Sequence, residues 1–248
     1  MSNIKSSSKR KELREKRRRQ QRQQRFLIIG IVGIVVIIFA AIMVVMSIKG
    51  SNQTANITPF APASRPNEQG QALGDPSAPV KIDVFEDFQC TSCQMYTQQI
   101  EVRIIDEYVK TGKVYYVFHQ YPFLDSRSVL KESQQSANAS MCAGEQGRFW
   151  DYHDLLYANW KGENQGVFND QRLIAFAKYL KLNQDNFEAC FKANRYKAKI
   201  EEDLQLGERM GVQGTPSVFV NGQIIRPGYI PQFEDIQQAV EAVLSPAQ

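Results

Sequence analysis

Residues 80–93 read V-K-I-D-V-F-E-D-F-Q-C-T-S-C, and the change of character along this stretch decides the fold. Val80, Ile82, Val84 and Phe88 fall on one parity among β-branched and aromatic residues, the pattern of a strand with a face turned to a core. Two cysteines separated by two residues follow at once. After them Tyr96, Ile100, Ile104 and Tyr108 recur at every fourth position with Ile105 and Val109 beside them, which predicts a helix over 94–109. Cys90 thus stands at a helix start, where unpaired backbone N–H groups and the positive end of the helix dipole favour a thiolate. Cys93, one turn further in, can attack a disulfide formed by Cys90. The order strand, C-x-x-C, helix suits reversible thiol–disulfide exchange.

A C-x-x-C pair alone also fits half of a zinc site or a structural bridge. Zinc needs further ligands, and the chain has only two histidines, His119 and His153, and no second C-x-x-C. Placement between strand and helix favours exchange, with no metal and no cofactor.

The chain of 248 residues carries a formal net charge of +4, an average that conceals a division. Residues 1–25 hold eleven Lys or Arg against Glu12 and Glu15, a net +9, so the remainder carries −5. Residues 26–48 follow without a single charge. As a helix this stretch is about 34 Å long, enough for a hydrocarbon core of about 30 Å. The basic flank marks the cytoplasmic side and sends everything beyond Lys49 across the bilayer. A cleaved signal peptide competes with this reading, but its apolar region spans about 7–15 residues and ends in a small-x-small site. Here the stretch is longer and runs into Met46-Ser47-Ile48-Lys49. The expectation is a basic cytoplasmic tail at 1–25 and a transmembrane signal anchor at 26–48. Topology and anionic lipid account for the basic block, so no nucleic acid partner is implied. All four cysteines lie beyond the apolar stretch, as suits an oxidising compartment.

Residues 49–72, rich in Pro, Ser, Asn, Gln and Ala without apolar periodicity, read as a flexible linker. Residues 73–248 are enough for one core. Lys113–His119 reads as a second buried strand, ended by Pro122. About 126–210 is helical throughout, with Phe149, Tyr152, His153 and Leu156 on one face, so His153 reads as a packed core histidine. Ser217–Val220 and Gln223–Arg226 make a hairpin about Asn221-Gly222, and Phe233–Leu244 is a closing helix. The natural packing is α/β, with helices on both faces of a small mixed sheet. Pro216 cannot donate to a sheet ladder and fits the first position of its strand, cis or trans.

Three segments, V-F-E-D-F-Q-C-T-S-C at 84–93, M-C-A-G-E-Q-G-R-F-W-D-Y-H-D at 141–154 and G-V-Q-G-T-P-S-V-F-V-N-G at 211–222, carry a resemblance. In this order they resemble the membrane-anchored, DsbA-like branch of the thioredoxin superfamily over nearly all of 73–244. The resemblance implies a thioredoxin fold with a helical insertion, preceded by one transmembrane helix, in a single-pass protein of the bacterial cell membrane with its catalytic domain outside. It implies a monomeric enzyme that exchanges disulfides with exported proteins, using a membrane or small-molecule redox partner. Cys90 would be the attacking sulfur and Cys93 the resolving one. Pro216 would be cis and lie against them, and Thr215 would offer its backbone to an extended substrate. Cys142 and Cys190 would form a structural bridge; a loop of about 49 residues corresponds to about 4 kcal/mol in the chain-entropy account.

Many members of that branch carry an acid six positions before the first active cysteine; here the position holds Val84. Asp83 should face the other way by strand alternation, which leaves Glu86 and Asp87 as candidate modulators. His119, at a strand end near the active rim, is a third. Oxidation of exported proteins is the favoured direction. An isomerase or reductase of the same fold, or a redox-silent tethered chaperone, are the alternatives.

Overall fold

In a computed structural model of the chain, residues 30–44, 56–61, 63, 65–127 and 129–245 are described. They fall into two units. The first contributes one helix, α1, at 30–44, whose apolar side chains are exposed. Among the described residues no helix is long and apolar enough to cross a membrane. The rest of the expected 26–48 span, and the tail at 1–25, lie outside the described residues.

The second unit is built on a five-stranded sheet of order β1-β3-β2-β4-β5: β1 (Ala72–Leu73), β2 (Val80–Glu86), β3 (Val114–Gln120), β4 (Ser217–Val220) and β5 (Gln223–Ile225). β2 pairs parallel with β3 from Val80–Val114 to Glu86–Gln120, and antiparallel with β4 from Ile82–Val220 to Phe85–Ser217. Being central, β2 is buried on both faces apart from Lys81. Ile82 and Val84 join the larger apolar core, whereas Phe85 joins a smaller cluster with Tyr121, Val212 and Phe219 on the opposite face. Asn221 and Gly222 both adopt positive φ, as a two-residue hairpin with the twist of its strands requires.

The helix after the cysteines solves a spacing problem. A recurrence of four exceeds the roughly 3.6 residues of an α-turn, and the run absorbs the excess in two π turns. α2 (Thr91–Tyr96) and α3 (Val102–Ile104) alternate with π turns at Thr97–Glu101 and Ile105–Val109. Both four-spaced rows thereby face inward, so Thr97 and Glu101 are buried along with Tyr96 and Ile100.

Between β3 and β4 the insertion supplies α4 (Glu132–Gly144), α5 (Phe149–Ala158), α6 (Asp170–Tyr179), α7 (Gln184–Lys192) and α8 (Lys197–Met210). A disulfide joins Cys142 in α4 to Cys190 in α7, with Cα atoms 5.8 Å apart. α8 approaches the sheet closely at Gly207, where an added Cβ would lie 2.6 Å from the Tyr121 ring and 3.2 Å from Phe85. α9 (Phe233–Leu244) closes the larger core with Phe233, Ile236 and Val240.

One expectation changes. The linker read over 49–72 is not free up to the domain. Thr58 exchanges two hydrogen bonds with Asn159, its N–H donating at 2.8 Å and its carbonyl accepting at 3.0 Å, while Ile57 and Phe60 pack against the core. Arg65 is buried between Glu101 at 2.7 Å and Asp154 at 2.5 Å. Proline-rich composition hides such docking because single anchors have no periodicity. The short edge strand β1 went unread for the same reason, since two residues cannot show alternation.

Candidate active site

Cys90 is the N-cap of α2, and its carbonyl accepts from the Gln94 N–H at 3.1 Å. Its sulfur lies 3.3 Å from the Thr215 carbonyl oxygen. The Thr215-Pro216 bond is cis, and this contact places the loop before β4 against the first cysteine. The preceding turn is fixed by Asp87, whose carboxylate accepts from the backbone N–H groups of Gln89 at 2.9 Å and Leu124 at 3.1 Å. Trp160 Nε1 donates to the Gln89 carbonyl at 2.6 Å, tying the insertion to the same turn.

The two thiols have opposite acidity. The Cys90 pKa is lowered from 9.0 to about 6, chiefly because Cys93 donates to its sulfur; burial opposes this, and Thr215 and the backbone N–H groups of Cys93 and Ser92 add to it. Cys93 has no exposure, and burial pushes its thiol well above the ordinary range. An acidic outer sulfur and a non-acidic inner one form an asymmetric pair: the outer is a ready nucleophile and leaving group, the inner holds its proton.

Beneath them lies Glu86, fully buried at the end of β2. Tyr157 in α5 donates to its Oε2 at 2.9 Å, and its Oε1 makes no hydrogen bond of good geometry. Burial raises this carboxyl well above the usual range, the Glu101 charge adds to that, and hydrogen bonds from Tyr157 and Cys93 oppose it. Val84 removes the acid from one position, but strand period two puts Glu86 on the same face, one pleat closer to the cysteines. Asp87 is raised to about 7 by burial, against the hydrogen bonds that hold its turn.

His119 does not join this group. It lies on the opposite sheet face, stacked on Phe85 with ring centroids 4.6 Å apart. Its Nε2 is 2.7 Å from Asp83 and its Nδ1 3.4 Å from Asp203. The expected influence on Cys90 is replaced by a link between β2, β3 and α8, because period two turns His119 and Asp83 away from the Glu86 face. His153 is fully buried, with Nδ1 2.9 Å from Asp154 and its ring among Phe88, Phe118, Trp150 and Tyr157.

The sequence reading passed over Tyr157, Glu101 and Arg65. A signal for Glu101 was present: it stands midway between Thr97 and Ile105 in a four-spaced row of the apolar run, where an acid is out of place. Arg65 had none.

Two sulfurs of unequal acidity, one turn apart at a helix start and faced by a cis-proline loop, define a thiol:disulfide oxidoreductase on a thioredoxin fold. The chain belongs to the thioredoxin family, whose model, described as thioredoxin, matches residues 66–242. It is similar to the probable disulfide bond formation protein D of Bacillus anthracis, 28% identical over 176 residues that span 70% of this chain and 78% of that protein. Among solved structures, oxidised BdbD from Bacillus subtilis aligns with a TM-score of 0.63 at 25% identity, covering 75% of this chain and 99% of that one. Chlamydia trachomatis DsbA, at 19% identity and a TM-score of 0.60 over 76% of this chain and all of that one, shares the fold.

Proposed function

We propose that this oxidoreductase forms disulfides in exported proteins from a single-pass anchor in the bacterial cell membrane, residues 1–25 lying in the cytoplasm and the catalytic domain outside. The lowered pKa of Cys90 at the helix start is the observation that carries the direction, because a stabilised thiolate stabilises the reduced enzyme and makes its disulfide the stronger oxidant. Support for the anchor is the +9 tail ahead of the uncharged stretch 26–48. The similarity to disulfide bond formation proteins supports the substrate class.

In the oxidised enzyme a substrate thiolate attacks Cys90 Sγ. The Cys90–Cys93 bond breaks, and the electron pair leaves on Cys93, which takes up a proton from Glu86. Thr215 holds the substrate backbone beside the mixed disulfide, with Pro216 setting the loop. A second substrate thiolate then attacks the substrate sulfur of that bond and expels Cys90 as a thiolate. Two electrons have passed from substrate to enzyme, and a membrane or small-molecule acceptor of the disulfide or quinone class takes them when Cys93 returns its proton and the pair recloses. Cys142 and Cys190 brace the insertion and take no part.

The test is equilibrium of the full chain with glutathione. A potential near or above about −180 mV is expected; one near the −270 mV of a reducing thioredoxin overturns the oxidative direction.

A further inference from the structure

Two carboxyl groups, Glu86 and Glu101, lie in the same core without exposure, on the sheet and on the π turn that packs over it. Tyrosine hydroxyls stand around them. Tyr116 in β3 is 3.4 Å from Tyr96 and 3.4 Å from Glu101 Oε2, and Tyr157 donates to Glu86. One proton per hydroxyl allows the arrangement Tyr96 to Tyr116 to Glu101.

The charges are distributed unevenly. Arg65 donates to Glu101 Oε1 at 2.7 Å and to Asp154 at 2.5 Å, and its guanidinium lies over the Trp150 ring at 4.8 Å. Burial would lower the Arg65 pKa, but the two carboxylates outweigh burial and raise it, so the cation is secure. Glu101, His153 and Asp154 bring ligand atoms within 4.8 Å of one another, and Arg65 is the cation the chain itself provides there. The charged and titratable groups around Glu86 are Cys90 and Cys93 at the helix start, Tyr96 and Glu101 on the helical run, Tyr116 on β3 and Tyr157 on α5. None of these is a cation. Arg65 is shared between Glu101 and Asp154, and His153 Nε2 lies 3.7 Å from Glu101 Oε2, so the basic groups of this cluster face Glu101 and Asp154, and of the two core carboxyls Glu86 is the one left to carry the proton.

We propose that Glu101, ion-paired with Arg65, is a positioning residue for the exchange reaction that keeps the buried proton on Glu86 beneath Cys93. Arg65 lies one residue before the part of the chain that matches the thioredoxin family. The docked segment is therefore part of the proton-delivery apparatus as well as a tether. The inference rests on the proton transfer from Glu86 to Cys93 proposed above.

The experiment uses the full chain, oxidised, and an arenethiol acidic enough to stay ionised between about pH 5 and 9, so that the pH dependence comes from the enzyme. Wild type should reduce at a constant rate until Glu86 loses its proton and slow above that pH. Glu101→Gln removes the neighbouring anion with little change of shape, and the fall should begin at least about one unit lower, a loss of about tenfold at pH values between the two midpoints. Arg65→Lys, which keeps the cation, should retain the wild-type midpoint, and Glu86→Gln should abolish the inflection. A purely structural Glu101 would alter the thermal midpoint or scale the rate uniformly. An unmoved inflection in Glu101→Gln, with that of Glu86→Gln lost, therefore overturns the inference and spares the role of Glu86. A Glu86→Gln profile identical to wild type overturns both. Should Glu101→Gln not fold, carbon-13 carboxyl spectra of wild type decide: the signal lost in Glu86→Gln must titrate well above the ordinary carboxylate range, and its titration within that range overturns the inference.

Discussion

The acidity of Cys90 can be removed in part by one substitution, because its largest cause is a single hydrogen bond from Cys93. With a value of about 6 in place of 9.0, Cys90 is about nine-tenths thiolate at pH 7, where an ordinary thiol is almost wholly protonated. A depressed acid stabilises the folded reduced state fully only above its ordinary value, and the contribution is lost as pH falls through the depressed one. The whole shift is worth about 4 kcal/mol above pH 9, and about 1.4 kcal/mol of it is present at pH 7. For a two-electron couple that is about 30 mV toward the oxidising side. Cys93→Ala should move the thiolate midpoint upward from about 6, but not as far as 9.0, since Thr215 and the backbone N–H groups of the helix start remain. Ultraviolet thiolate absorbance against pH, with alkylation rate as a second reading, measures both midpoints. A wild-type midpoint above about 8, or one that Cys93→Ala leaves in place, would refute the assignment of the shift to the local hydrogen bonds.

Two further outcomes follow from groups remote from the sulfurs. Cys142→Ala opens a bridge with a sequence separation of 48; unfolding stability should fall by about 4 kcal/mol in chemical denaturation while Cys90 keeps its alkylation rate, and a slowed Cys90 would show the bridge to be coupled to the site. His119→Gln should destabilise most between pH values of about 4 and 6.5. Burial lowers the His119 pKa, but Asp203 and Asp83 outweigh it and raise it, so its contribution is complete below the ordinary value and lost as pH rises through the raised one. Burial likewise raises Asp83 and Asp203, but hydrogen bonds from His119, joined by Lys81 at Asp83 and Lys199 at Asp203, prevail and lower both, so their contributions disappear as pH falls through the depressed values. Lys81 and Lys199, each 2.7 Å from its aspartate, remain as partners, so removing the shared cation should cost roughly 1.5–3 kcal/mol in that window, and a penalty independent of pH would contradict the pairing.

The longer elements of the sheet and its helices were legible because each is announced by a local signal: period two along 80–86, four along 96–108, and a hairpin turn at Asn221-Gly222. The cysteine pair was legible because its meaning depends on its immediate neighbours, a strand before and a helix after. Even the displaced acid could be read, since Glu86 shares the parity of Val84 on one strand. What tertiary structure alone decided are the relations between segments far apart in sequence: the Tyr157 hydroxyl on Glu86, and His119 drawn to Asp203 and away from the thiols. Arg65 is the clearest case. Its partner Glu101 is 36 residues distant, and no periodicity in a proline-rich segment can mark a lone arginine as buried. Local sequence sets the direction a side chain takes from its own element, but a buried charge is stable only where the packed chain supplies an opposite one.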